Sequence, residues 1–267
     1  AERGHKVTLL EKQSRLGGSL VLASTVHSNN EPFLHFLKAE MKRLPIAVEL
    51  GVEATVSRIR ELKADAVIVA TGARITTPEI PGRDLPHVLT GAQMRARLDS
   101  LPRWAQRFVI PSLLRATSKA WMPLGNEVVV IGADLAAVEL AEFIARRGRR
   151  VHLLESGSKI TPEVGKKRRS EHMDRLDRLH VTLNTRVEIV RIELRGVRIR
   201  SSNGTERLVA ADTVIIAGNP VAATAFAEKL TEAGLRVKAI GDCTGLSLIA
   251  GATRDAAEAV AAVFSES

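Results

Sequence analysis

One stretch near the start of this chain of 267 residues returns in its middle, and that repeat limits the possible folds more than any other feature. Arg3-Gly4-His5-Lys6-Val7-Thr8-Leu9-Leu10-Glu11 reappears as Arg147-Gly148-Arg149-Arg150-Val151-His152-Leu153-Leu154-Glu155. Each copy reads as a helix end, a glycine stop, two basic residues, a short buried strand and a glutamate. Glycine ends helices because it adopts the left-handed backbone without a Cβ clash. A continuous apolar run fits a strand covered on both faces. A second pair of runs, Val67-Ile-Val-Ala-Thr71-Gly72 and Val214-Ile-Ile-Ala217-Gly218, repeats the same theme. Two βαβ units of the nucleotide-binding kind in one polypeptide account for both repeats.

The remaining punctuation fits that account. Gly17 and Gly18 form a loop after the first glutamate, and helical spacing runs from Glu31 to Leu44. A strand near Ala47–Leu50 and a helix near Arg58–Leu62 lead to a fully buried strand, Ala66–Ala70. In the second copy a strand at Val128–Ile131 turns at Gly132 into an amphipathic helix, Leu135–Arg147. A helix is expected from Pro162 to Leu179, then short strands with Asn203-Gly204 as a hairpin turn. A strand at Val237–Ile240 and a helix from Ile249 to Phe264 close the chain. Residues 93–124, with Trp104, Trp121 and three prolines, break the pattern. They read as a connection whose tryptophans either pack within the chain or face a larger partner. The expected organisation is 1–92 plus 219–267 as one domain, 93–124 as linker and 125–218 as a second domain inserted in the first.

Charge and cysteine content narrow the chemistry. The net charge of +9 is partly clustered at Arg146, Arg147, Arg149 and Arg150 and at Lys166–Arg169. Such clusters serve either an anionic partner or a solvated face. No aromatic residues interleave with them, so a nucleic-acid partner is not expected. Cys243 is the single cysteine, which excludes a redox-active pair within the chain and a cysteine-based metal site. No apolar run reaches the ~20 residues of a membrane span, and no leader pattern is visible. The expectation is a cytoplasmic protein with no membrane partner. Opening on Ala1 in what reads as a helix end, the chain is expected to lack an upstream segment, including the first βα unit of the first repeat.

The second copy carries the clearest motif. A dinucleotide turn runs from a strand through G-x-G-x-x-G into a helix, whose N-terminal amides face the pyrophosphate. Here those positions are Gly132-Ala133-Asp134-Leu135-Ala136-Ala137. Gly132 supplies the tight turn, and Ala137 is small enough for the close helix–strand contact. Asp134, at the middle position, places a side chain and a negative charge where phosphate would approach. Glu155 lies at about the 20-residue distance expected of the acid that holds a ribose. It would favour NAD(H) and repel a 2′-phosphate. The alternative for this unit is a structural βαβ element with little nucleotide affinity.

These stretches together resemble the C-terminal part of the NADH:flavin oxidoreductases related to 2,4-dienoyl-CoA reductase and trimethylamine dehydrogenase. The likeness rests on Arg3–Glu11 followed by Leu16-Gly17-Gly18, on Ala66–Ala73 followed by Ile80-Pro81-Gly82, on Trp121-Met-Pro-Leu-Gly125, and on Ala239-Ile-Gly241-Asp242-Cys243. It implies an α/β fold with two Rossmann-like domains of the FAD/NAD(P)-binding, glutathione-reductase-like type. It implies FAD bound by Glu11 at the adenosine ribose, by the Gly17-Gly18 loop, by Ala54 near the adenine and by Thr71 and Gly72 on the pyrophosphate side. Gly218, Gly241 and Asp242 would complete that set, with the helix start at Ala250 and Gly251 aimed at the flavin ring. NADH would be held around Gly132, Asp134, Ala137 and Glu155. The implied activity is electron input, from NADH to FAD and onward to an upstream (β/α)8 barrel domain carrying FMN and a 4Fe-4S cluster. The alternative is a non-catalytic ADP- or dinucleotide-binding docking domain.

Overall fold

The computed structural model describes residues 1–91, 93, 110–246 and 248–264. By compactness these fall into a large unit (1–9, 13–51 and 77–217) and a small unit (10–12, 52–76 and 218–267). Trp104 and half of the expected linker, 94–109, lie outside the described residues.

The large unit is built on a five-stranded sheet. Its strands are β5 (Val88–Thr90), β6 (Glu127–Ile131), β7 (Arg150–Leu154), β8 (Thr182–Asn184) and β12 (Thr213–Ile216). They lie in the order β5-β12-β6-β7-β8, and every neighbouring pair is parallel. Parallel strands need long crossovers, and the helices between them supply these. α5 (Leu135–Ala145) links β6 to β7, and α6 (Lys166–Arg178) links β7 to β8.

The apolar runs of the sequence explain the layers. Successive strand residues point to opposite faces. Val128 and Val130 of β6 meet Ala137, Val138 and Ala141 of α5, whereas Val129 and Ile131 face the other way. That other face is covered by an antiparallel sheet, β9 (Val187–Glu193), β10 (Gly196–Ser201) and β11 (Glu206–Ala210), through Ile192, Val197 and Ile199. Each fully buried valine or isoleucine contributes roughly 1.5–3 kcal/mol. The turn between β10 and β11 contains Asn203-Gly204. Gly204 is left-handed at φ 82° but Asn203 is not, and the Gly204 amide donates to the Ser201 carbonyl, so the hairpin is a longer loop with one left-handed glycine and not the two-residue turn.

Also in the large unit are α1 (Gly18–Val26), α2 (Glu31–Arg43), β2 (Ile46–Leu50) and α4 (Pro111–Ala120), with α1 packed against α2, α4 and α5. Arg115 of α4 donates to the Ser24 carbonyl (2.7 Å) and to the Glu31 carboxylate. Residues 13–51 therefore cluster with the second repeat, although the repeat pattern groups them with the first. β1 (Val7–Glu11) pairs with β2.

The small unit contains α3 (Val56–Leu62), β3 (Val67–Val69), β4 (Arg74–Thr76), β13 (Asn219–Val221), α7 (Ala225–Glu232), β14 (Val237–Ala239) and α8 (Leu248–Phe264). β14 runs parallel to β3, and β13 antiparallel to β4. Ile59, Val69, Leu230 and Cys243 form its core.

Three expectations are corrected. The run 66–70 is not fully buried, since Ile68 is 41% exposed. β3 has β14 as its one strand neighbour among the described residues, so part of its surface is left uncovered. β1 is likewise half-buried throughout. The helix expected from Pro162 begins at Lys166 instead. Thr161 takes the left-handed backbone at φ 42°, and Val164 donates to the Thr161 carbonyl, so 161–165 is a turn.

Candidate functional site

The order of the five-stranded sheet reverses beside β6. Open α/β folds place ligands at such a switch point, outside the carboxyl ends of the strands. Gly132 leaves the end of β6 at φ 106°, where an added Cβ would come 3.4 Å from the Ala217 Cβ that follows β12. Glu155 follows the end of the adjacent β7. Gly132 and Glu155 therefore sit at the tips of neighbouring parallel strands. Ala137 is buried against β6, where a larger side chain would lift α5 off the sheet.

The start of α5 is occupied from within the chain. Asp134 is its N-cap, and the carboxylate accepts from the Ala137 amide at 2.8 Å. The Leu135 amide donates to the carboxylate of Glu163, which arrives from the turn before α6. Glu155 folds back on its own loop and accepts from the Gly157 amide at 2.5 Å. Burial pushes the Asp134 carboxyl above its usual range, and the nearby charges of Glu163 and Glu155 add to this against the pull of the Ala137 amide. The turn and the acid fit a dinucleotide. The amides that would bind its pyrophosphate do not fit one in this arrangement, because they are already filled.

Behind this turn, a buried ionic network joins α5 to α6. His172 is wholly buried, and its Nδ1 donates to Glu142 at 2.6 Å. The Arg175 Nε donates to the same carboxylate at 3.1 Å. The hydrogen bond from His172 and the Arg175 charge outweigh the cost of burial, so the Glu142 carboxyl is held below the usual range. Burial raises the neighbouring Glu139 carboxyl, although Arg168 lies 3.3 Å away. Burial and the charges of Arg175 and Arg168 lower His27.

The residues assigned to FAD fall in both units. In the large unit, Gly17 is at φ 120°, and a Cβ there would lie 2.7 Å from Val21. That glycine is needed for packing on α1. Gly18 starts α1 in open space, so the expected loop ends one residue early. In the small unit, Glu11 ends β1, and its carbonyl accepts from Val52 at 3.0 Å. Ala54 packs on the core around Ile59. Thr71 is exposed after β3, and Gly72 has φ 77° with nothing within 4 Å of an added Cβ, which lets a ligand approach the backbone. Gly241 follows β14, and its amide donates to Asp255 of α8 at 3.1 Å. Asp242 sits in the same 3₁₀ turn. Ala250 and Gly251 lie in the first turn of α8. Gly218 is at φ 81°, where a Cβ would collide with Ile75 at 2.7 Å, so packing alone demands glycine there.

Sequence reasoning missed Glu163, and the helix expected from Pro162 concealed it. The arginine clusters are largely engaged inside the chain. Arg147 stacks on Phe143 at 3.3 Å, Arg150 pairs with Glu127 at 2.5 Å, and Arg169 donates to the carbonyls of Ile160 and Val164. Cys243 is buried with its thiol near the carbonyls of Val69 and Ile240. Trp121 is 73% exposed. No helix among the described residues is long and apolar enough to cross a membrane.

Comparison with known proteins agrees with this architecture. The chain is 29% identical over 252 residues to NADH oxidase of Thermoanaerobacter brockii, covering 93% of this chain and 36% of the relative. It is 30% identical over 243 residues to bilirubin reductase of Mediterraneibacter gnavus, covering 90% and 34%. The solved complex of 2-naphthoyl-CoA reductase with 2-naphthoyl-CoA superposes with a TM-score of 0.77 at 28% identity, over 95% of this chain and 36% of that one. Thioredoxin reductase of T. acidophilum shares the fold over the whole chain, with a TM-score of 0.69 at 15% identity. The chain thus spans about a third of the length of these two curated relatives. Residues 1–241 match the family described as pyridine nucleotide-disulphide oxidoreductase. With its two nucleotide-type units and its likeness to the NADH:flavin oxidoreductases, the chain belongs to that family of FAD/NAD(P)-binding oxidoreductases.

Proposed function

We propose that this chain is the electron-input module of a larger flavin-dependent oxidoreductase, accepting reducing equivalents from NADH and passing them to a separate catalytic domain. The observation that carries this reading is the placement of Gly132 and Glu155 at the tips of adjacent parallel strands beside the switch point. In this reading residues 1–92 with 219–267 hold FAD. Glu11 binds its adenosine ribose, Ala54 lies by its adenine, and Thr71 and Gly72 admit its pyrophosphate. Asp242 binds the ribityl region, and the first turn of α8 favours negative charge on the reduced ring. Bound flavin supplies the hydride-accepting chemistry, while the protein orients it and sets its charge.

Residues 125–218 receive the nicotinamide dinucleotide, with Glu155 on the ribose hydroxyls and against a 2′-phosphate. The catalytic partner is a (β/α)8 barrel with FMN and a 4Fe-4S cluster. The chain's single cysteine cannot ligate such a cluster, and the relatives' extra length leaves room for that domain. A second reading, a docking domain that binds ADP without electron transfer, is favoured by the filled amides of α5.

Adding NADH anaerobically to the full-length, FAD-loaded protein separates the two readings. Bleaching of the flavin's visible band is the expected result. Absence of bleaching, with ADP still binding, would favour the docking domain.

A further inference from the structure

Where a dinucleotide's pyrophosphate would meet α5, the chain presents its own anions. Helix N-termini attract phosphate because their first amides lack intrahelical partners. At α5, Leu135 and Ala137 have already given theirs to carboxylates. Asp134 is a local cap of the ordinary kind. Glu163 is different, since it reaches the helix from 28 residues further along the chain.

Several contacts hold Glu163 in place. The Thr161 amide donates to the Ala133 carbonyl, inside the glycine turn itself, at 2.6 Å. Arg169 donates to the carbonyls of Ile160 (3.0 Å), Thr161 (3.2 Å) and Val164 (2.9 Å). The loop is nevertheless not at rest energetically. Thr161 is a β-branched residue at φ 42°, and its buried hydroxyl has no hydrogen-bond partner among the described residues. A residue of this type pays for the left-handed region. The same loop carries Gly157, whose amide engages Glu155. One segment, 156–165, therefore occupies both the phosphate amide and the ribose acid.

We propose that Glu163 is an internal substitute for the dinucleotide pyrophosphate. It closes the second nucleotide site, and it must leave the Leu135 amide before a dinucleotide can bind there. The inference rests on the reading of this unit as a dinucleotide site. Glu163 is thus an affinity-determining residue, and the left-handed turn at Thr161 lies in the same loop. When the competent arrangement is a minor one, apparent affinity falls in proportion to its population. Removing the competitor raises that population.

The test compares the full-length, FAD-loaded protein with its Glu163→Ala and Glu163→Gln variants, using NADH as the probe. The readout is the NADH dissociation constant from anaerobic fluorescence titration, alongside hydrogen exchange across 156–165. Glu163→Ala is expected to tighten NADH binding by about 10-fold or more. Glu163→Gln, which keeps an acceptor for the Leu135 amide but loses the charge, is expected to lie between the alanine variant and the parent. Saturating NADH is expected to speed exchange in 156–165 of the parent protein. If NADH binds parent and variants within about two-fold of one another, the role of Glu163 is overturned while the electron-input reading stands. If none of the three binds NADH although all melt as folded proteins, both readings fall.

Discussion

Replacing Glu142 by alanine would remove the acceptor at the centre of the buried network between α5 and α6. The carboxylate is 4% exposed, receives a 2.6 Å hydrogen bond from a wholly buried imidazole, and lies 3.1 Å from the Arg175 guanidinium. Arg146 approaches it at 3.8 Å from the surface side. Without Glu142, the His172 Nδ1 donor has no acceptor among the described residues, and its Nε2 already has no hydrogen-bond partner among them. Breaking a buried pair from one side costs about 3–5 kcal/mol. For a protein of this size each kcal/mol moves the melting temperature by roughly 2–4 °C, so the variant should melt about 6–20 °C lower.

The pH dependence has a definite sign. The folded carboxyl is held below its ordinary value, so its contribution is fully present above the ordinary glutamate range. It is lost as pH falls through the folded value. The gap between parent and variant, followed by calorimetry or circular dichroism from neutral to acid pH, should therefore close on the acid side. A neutral-pH gap below about 2 °C would refute the network as a source of stability. A gap unchanged at acid pH would refute the ionised carboxylate as its cause. The double replacement of Glu142 and His172 by leucine should recover much of the loss, since apolar pairs of similar volume often match buried ionic ones.

Three other outcomes follow from local geometry. Glu155→Gln keeps the shape of the ribose acid but not its charge, and charged hydrogen bonds are worth about 1.5–3 kcal/mol. The ratio of NADPH to NADH dissociation constants should fall by roughly 10–100-fold, and an unchanged ratio would remove Glu155 from the ribose. Gly82→Ala would place a Cβ 2.1 Å from the Ile192 carbonyl at φ 89°, so a loss of about 2 kcal/mol or more in urea unfolding is expected. Cys243→Ser keeps a donor near the Val69 and Ile240 carbonyls, so a cost near 1 kcal/mol and unaltered flavin reduction are expected. Loss of NADH-driven bleaching in the folded serine variant would show that the thiol does more than pack.

What was legible in the sequence was local. The strand ends at Ile131 and Leu154, the turn at Gly132 and the hairpin at Asn203-Gly204 each lie within a short window whose chemistry admits few conformations. Partnerships across the fold were not legible. Glu163 meets Leu135 across 28 residues, and His172 meets Glu142 across 30. No period links such pairs. His172 and its partner Glu142 sit on different helices. Pro162 pointed to a helix start because proline fits a first helical position, yet the left-handed Thr161 delays the helix to Lys166. Apolar runs also led to too much expected burial, as at Ile68. A run of hydrophobic residues records a strand's preference, whereas its exposure depends on what lies beside it.

Electrostatics decides which of the three carboxylates at the second site must yield to a dinucleotide. Two unit charges about 5 Å apart at an effective dielectric near 20 repel by roughly 3 kcal/mol. A pyrophosphate carrying two charges would therefore be opposed by several kcal/mol from any one of these acids. Asp134 cannot withdraw readily, because its backbone carbonyl accepts the helix-starting bond from Val138 and its side chain caps the same turn. In the proposed reading Glu155 exchanges the Gly157 amide for the ribose hydroxyls, so it keeps a partner when the ligand binds. Asp134 and Glu163 both hold amides that the ligand needs, but Glu163 comes from outside the helix and can withdraw without undoing the start of α5. Its departure relieves repulsion and frees a donor at once. Nucleotide binding at this site and opening of the 156–165 loop should therefore be one coupled equilibrium.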